Sequence, residues 1–293
     1  MHAADISGTG AALAWWIWPI ALFVASFALG VVAVIAGVGG GVLFVPIVGG
    51  FFPFHLDFVR GAGLLLALAG ALAAAPRMLR DGLASLRLAM PLALAGSVFS
   101  ILGAMASFHL PTRGLEVALG VLVILIVLLM WRSPMHVSGA PHRGDALARM
   151  LGLGGTFVDP ADGMRIDWAA RHTALGIAAF SAIGFVGGLF GLGAGWANVP
   201  ALNLLMGVPM KLSAGTSGLI ISMVNAPAAW IYFHQGAMLP IIAAPSLIGV
   251  MLGARVGVRL FRSLQAAHIR SLVIALLLFA GVRSLLKGLA LWN

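Results

Sequence analysis

No cysteine occurs in the 293 residues, only 9% of them are charged, and one tyrosine stands among 16 phenylalanines and 8 tryptophans. The missing cysteine excludes disulfides, thiolate metal sites and a cysteine nucleophile. The 8 histidines are scattered, with no HExxH and no paired ligand spacing, so metal catalysis has no motif to rest on. Acidic residues number 8 and end at Asp167, which denies the second half of the chain a carboxylate proton relay. Asp57, Asp81, Glu116 or a histidine such as His55, His109 or His234 would have to carry any coupled proton. Soluble globular proteins carry about 25% charged residues, and this chain falls far short of that. We expect neither an enzyme nor a cofactor.

What the chain has in abundance is apolar length. Hydrophobic residues make up 61% of the sequence and the mean hydropathy is +1.09. Repeated runs approach the roughly 20 residues a membrane-crossing helix needs, so the chain reads as an all-α integral membrane protein with the bilayer as its first partner. No Lys or Arg precedes the first apolar segment, and that segment runs too long for a signal h-region, so Trp15 onward reads as a retained helix. The net charge of +9 is better explained by orienting loops than by nucleic acid, which is not expected as a partner.

The chain also matches itself. AGVGGGVLFVP at 36–46 corresponds to FGLGAGWANVP at 190–200, a constant offset of 154. Without a gap the same offset pairs Gly30 with Gly184, Gly61 with Gly215, Gly82 with Gly236, Pro91 with Pro245 and Gly103 with Gly257. From residue 30 to residue 110, 16 of 81 positions are identical, against about seven expected from so biased a composition.

Each half reads as five helical segments, labelled a to e. They are expected at 15–36, 42–52, 58–79, 88–108 and 113–131, then at 173–190, 196–206, 211–232, 238–258 and 266–287. The N-terminal repeat is 1–131, the linker 132–172 and the C-terminal repeat 173–293. Segment b, at about 11 residues or about 16 Å, is too short to cross alone. Whether a and b cross as two tilted spans or form a re-entrant hairpin is left open. Inside the linker, Thr156 to Trp168 has the pattern of a small β-hairpin.

Charge distinguishes parallel from inverted halves. Arg77, Arg80 and Arg87 lie between c and d of the first half, where the second has His234, Gln235 and Gly236. Between d and e the bias reverses, with Arg255, Arg259, Arg262 and Arg270 in the second half against Arg113 and Glu116 in the first. The positive-inside rule therefore predicts inverted repeats, a cytoplasmic linker and both termini outside. Arg283 and Lys287 fit that arrangement least well.

Inverted repeats that meet at interrupted helices are a recurrent transporter plan, with backbone N–H groups and helix N-termini holding an anion near mid-membrane. This points to Gly39, Gly40 and Gly41, and to Gly193, Ala194 and Gly195, as a substrate shell; close helix packing is the competing use of such glycines. A dinucleotide site is excluded because no βαβ unit surrounds them. Polar residues inside apolar segments add Asn198, Thr216, Ser217 and Asn225, with Trp196 as a candidate packing surface. Thr216 and Ser217 read as donors at a helix start after Gly215, with an N-cap as the alternative. Asn225 falls about 900° further round, on the opposite face. Arg60 either supplies positive charge or pairs with Asp57 on the outer surface.

These residues resemble the sulfite exporter TauE/SafE family: Gly37ValGlyGlyGly with Val45Pro46, Gly191LeuGlyAlaGly with Val199Pro200, and Gly215ThrSer. The resemblance spans about 20–287 apart from the long linker. It implies a multi-pass permease of the bacterial cytoplasmic membrane for a small sulfur-containing anion such as sulfite, sulfoacetate or another organosulfonate. Gly61AlaGly63 departs from the Ser/Thr expected in the first half, shifting the expected substrate shell toward the second half and Arg60. An anion channel and a non-transporting scaffold or enzyme subunit are the alternatives, and self-association into a homo-oligomer is left open.

Overall fold

The computed structural model describes residues 17–36, 40–51, 55–132, 144–158, 163, 165–193 and 195–261, with positions 274, 278, 281, 282, 285, 286 and 289. The first half contains α1 (Ile17–Ala36), α2 (Gly40–Phe51), α3 (Leu56–Arg80), α4 (Leu86–Ser107) and α5 (Thr112–Arg132). The connection holds α6 (Ala146–Leu151) and the strands β1 (Gly154–Val158) and β2 (Arg165–Ala169). Then come α7 (Thr173–Phe190), α8 (Gly195–Pro200), a π-helical turn (Ala201–Leu205), α9 (Met210–His234) and α10 (Pro240–Phe261). Most of the expected last helix lies outside the described residues. Among those described, α1, α3, α4, α7, α9 and α10 are long and apolar enough to cross a membrane.

Exposed apolar side chains such as Val24, Leu72, Leu94, Val98, Leu175 and Ile248 lie along these helices. In water they would be a liability; in lipid they are the solvated surface. The interior is close-packed around small residues, and those contacts repeat with the sequence offset. Gly103 lies so near Phe185 that an added Cβ would stand 2.0 Å from its carbonyl oxygen, and its counterpart Gly257 stands likewise against Val31 at 2.8 Å. Gly184 packs on Gly96, and its counterpart Gly30 on Val250. Helix α4 thus lies against α7, and α10 against α1, so each half's first helix is covered by the other half's fourth. The absence of a side chain allows the van der Waals contact that drives helix association in lipid.

The two longest helices cross at the centre. Gly61, near the start of α3, is covered by the carbonyl of Ala237 just beyond α9; Gly215, near the start of α9, is covered by the carbonyl of Leu83 just beyond α3. The equivalent helices α3 and α9 therefore run antiparallel. At 25 residues each, they are about 37 Å long, enough to traverse a bilayer core of about 30 Å.

Asp145 anchors the connection between the halves. Its carboxylate accepts from the Ala148 N–H at 2.8 Å, capping α6, and from the Thr173 N–H and hydroxyl, both at 2.7 Å, capping α7. Partial burial pushes its carboxyl pKa up, but the Thr173 hydroxyl, the two N–H donors and the field of His172 outweigh that, and the pKa lies below its usual value. The expected hairpin is present, antiparallel with Thr156 opposite Asp167 and their side chains bonded at 2.6 Å. Gly152 packs on Arg87, so the α3–α4 loop shares the end of the molecule that the linker occupies, called here the linker face.

The segment after α7 returns to that face. Arg171 N–H donates to Met206 O at 3.0 Å, so residues 191–206 travel back to where α7 began. The six residues of α8 and five of the π turn cover only about 16 Å. Pro200 lies where the α-helix gives way to the π turn, as expected for a residue without an N–H.

Candidate functional site

Helix α7 ends inside the molecule, leaving carbonyl groups that no helical N–H can meet. Gly191 closes it with φ +67° and Gly193 follows with φ +74°, conformations that cost a non-glycine residue about 1 kcal/mol or more. Two side chains from other helices then satisfy the exposed carbonyls. Tyr232 on α9, fully buried, donates its hydroxyl toward Gly188 O (3.1 Å) and Leu189 O (3.3 Å), and lies 3.0 Å from Ser107 Oγ. Arg60 on α3 places Nη1 3.4 Å from Leu189 O and pairs through Nη2 with Asp57.

The Asp57 pairing is therefore formed, but Arg60 is not a surface residue: only 1% of it is exposed. Its guanidinium is directed to the end of a broken helix rather than to solvent. Asp57 remains half-buried toward exposed His55. Tyr232 was not among the residues the sequence suggested; its being the only tyrosine in so apolar a chain was the available signal.

The glycine turns of the two halves meet. A Cβ on Gly41, the second residue of α2, would stand 2.6 Å from Leu192 O and 2.7 Å from Gly63 O. Gly63 is in turn covered by Gly191 O, 2.7 Å from where its Cβ would be. This accounts physically for the glycine at 63: the Val45 side chain, 2.4 Å from where a Cβ would be, and the Gly191 carbonyl occupy the space a serine would need. Gly40 opens α2 with Val250 packed on it, and Gly195 opens α8. Gly39, Ala194 and the side chain of Trp196 lie outside the described residues.

Thr216 and Ser217 do not start a helix. Helix α9 begins at Met210, and both residues lie two turns in, fully buried. Thr216 Oγ1 accepts the N–H of Ser85, the residue that caps α4, at 3.0 Å. Its hydroxyl ties α9 to the α3–α4 loop, on the helix face away from the glycine turn. Asn203 and Ser213 likewise bond the Val208 carbonyl, at 2.8 and 3.1 Å, and tie off the end of the π turn.

The opposite face of α9 carries Asn225, and this face meets the turn. A Cβ on Gly193 would stand 2.5 Å from Asn225 Nδ2 and 3.2 Å from the Ala67 methyl on α3. Asn225 is 1% exposed and its Nδ2 has no hydrogen-bond partner among the described residues. On α8, Asn198 is fully buried with both amide atoms unpartnered. Leaving a buried amide unmatched costs about 1–3 kcal/mol, so these two asparagines, one on α8 and one on α9, each call for an explanation beyond packing. Gly40, Gly70, Ala71, Ala74, Gly218, Ile221 and Val250 line an internal space of about 40 Å³ that Gly193, Asn198 and Asn225 do not themselves line, enough for no more than a few water molecules.

Comparison with known proteins agrees with this architecture. The description "Sulfite exporter TauE/SafE" matches residues 22–284. A "Probable membrane transporter protein YunE" from Bacillus subtilis (strain 168) is 25% identical over 278 residues, covering 92% of this chain and 98% of that protein. No solved structure matches.

Proposed function

Because the chain belongs to the sulfite exporter TauE/SafE family of membrane transporters, we propose that it is a secondary carrier for a small sulfur-containing anion such as sulfite, sulfoacetate or another organosulfonate. The observation that carries this reading is the unpartnered amide of Asn225 held against Gly193. An amide N–H, with the backbone of a glycine turn, offers an oxyanion hydrogen bonds in a place from which water is nearly excluded. Asn198 supplies a second buried amide, on the interrupted segment itself, and Arg60 places positive charge at the end of α7, largely offset by Asp57.

The antiparallel run of α3 and α9, and the exchange of partners between the halves, support inverted repeats. Arg77, Arg80, Arg87, Arg149, Arg165, Arg171, Lys211, Arg255 and Arg259 belong to the linker end, which supports placing that face in the cytoplasm. The boundaries 1–131, 132–172 and 173–293 follow the same division. A space of about 40 Å³ at the turns favours a carrier that opens alternately over a standing channel.

Purified protein in liposomes should move labelled sulfite or sulfoacetate down its gradient with saturation. Gly193→Leu should abolish that movement and Asn225→Leu should reduce it at least about ten-fold, a change equivalent to about 1.4 kcal/mol. Equal flux from the variants and the unaltered protein would remove the glycine-turn site.

A further inference from the structure

The linker face contains a second place where anions should collect. Between the C-terminal ends of α3 and α10 lies a recess of about 500 Å³ lined by Ala73, Pro76, Arg77, Arg80, Asp81, Arg255, Val258 and Arg259. Four guanidinium groups face it against one carboxylate, and Arg77 Nε stands 3.7 Å from Asp81 Oδ2. Arg80, Arg255 and Arg259 form no salt bridge among the described residues.

Orientation in the membrane requires basic residues on this face but does not require them to converge. Arg87, Arg149, Arg165 and Arg171 satisfy it from elsewhere on the surface and do not line the recess. Nor is the cluster a by-product of the repeat. At the offset of 154, Arg77 and Arg80 correspond to Ile231 and His234, while Arg255 and Arg259 correspond to Ile101 and Met105. The cluster belongs to one side of the molecule only.

The recess lies next to the internal space along α3. Ala73, Pro76, Arg77 and Arg80 form one stripe of α3, with the spacing that aligns residues on a helix face. The adjacent stripe, Gly70, Ala71, Ala74, Ala75 and Met78, lines the small internal space beside Gly40 and Gly218. An anion leaving the recess would pass from guanidinium groups to small apolar residues and then to the glycine turns.

We propose that this recess is a binding station for a dianion carrying two oxyanion groups, receiving it on the linker face before it enters the membrane. Planar guanidinium forks suit tetrahedral and pyramidal oxyanions. An excess of positive charge favours a dianion and disfavours a zwitterion whose ammonium would face the same arginines. Sulfoacetate is a ligand of this class, and taurine, with the same sulfonate and an ammonium, is not. A cardiolipin headgroup carries the same chemistry from a second source. The role of the station in transport rests on the carrier reading above; its occupancy does not.

Calorimetric titration of the full chain in phosphatidylcholine nanodiscs tests this, using the Asn225→Leu protein so that the recess is read without the central site. Sulfoacetate should bind saturably, taurine should not, and Arg77→Gln/Arg255→Gln added to that protein should weaken sulfoacetate at least about ten-fold, with Arg77→Lys/Arg255→Lys recovering part of it. Repeating the titration with cardiolipin present separates the sources. Unchanged affinity assigns the station to the soluble anion; competition, with cardiolipin retained by the arginine protein and lost from the glutamine variant, assigns it to the headgroup. Equal binding by the arginine and glutamine proteins, equal binding of taurine, or no binding of either probe overturns the proposal. Failure of the carrier reading would register separately, as transport unaffected by Asn225→Leu.

Discussion

Asn225 of α9 lays its amide nitrogen directly over Gly193, so closely that a methyl group on that glycine would stand 2.5 Å from it. The contact joins the second half's broken helix to its longest one and leaves that nitrogen without a hydrogen-bond partner among the described residues. Stability and activity should therefore respond in opposite directions at this position.

Asn225→Leu should leave the folded protein as stable as before or more stable by about 1 kcal/mol, because it removes an unmatched buried donor. In a protein that also carries Arg77→Gln/Arg255→Gln, the same substitution should abolish any rise in melting temperature on adding sulfite or sulfoacetate, since a ligand stabilises only a protein that binds it. Thermal unfolding in detergent with and without the anion measures both; Asn225→Leu destabilised by several degrees, or the combined variant still stabilised by anion, would contradict the assignment.

Gly193→Ala should destabilise by about 1–3 kcal/mol, because the added methyl group requires φ near +74° and displaces Asn225. Gly82→Ala offers a control. It has a comparable φ of +68° but nothing within 4 Å of its added Cβ, so it should lose only the backbone contribution and keep transport. Comparing chemical denaturation of the two variants separates strain from crowding.

Tyr232→Phe removes the hydroxyl donated toward Gly188 O and Leu189 O and should cost about 1–2 kcal/mol. Amide hydrogen exchange should report the loss locally, at the last turn of α7, while Thr216→Val should loosen the start of α4 through the Ser85 N–H it no longer engages. Transport half-saturation should be unaffected by Thr216→Val, since its hydroxyl faces the α3–α4 loop.

Asp145 should make the linker acid-sensitive. Its pKa is lower in the folded protein than in the unfolded chain, so its stabilising contribution is complete above the unfolded value of about 3.8 and declines as pH falls through the lower folded value. Asp145→Asn should remove that dependence and loosen α6 from α7 already at neutral pH. Limited proteolysis of the linker from pH 5 down to well below 3.8 would reveal it.

Over the described segments the helix plan was legible to within a few residues because apolar length and glycine breaks are local properties. The offset of 154 located both turns before any contact was known. The roles of individual polar residues were much less legible. Thr216 and Asn225 could be assigned to opposite faces of one helix from 100° per residue, but which face meets the glycine turn depends on a neighbour 32 residues away in sequence. Arg60 could be paired with Asp57 at i,i+3, yet its burial depends on α7 ending beside it.

The sequence by itself determined that this chain lives in a bilayer, that it is doubled, and that each half is broken at a glycine turn. Hydrophobicity, repetition and backbone freedom are carried residue by residue, so they need no partner to be read. Only the tertiary structure decided which polar groups are satisfied and which are left waiting. A hydroxyl or amide reveals its purpose through what stands within 3 Å of it, and in this protein those neighbours often come from the other half of the chain.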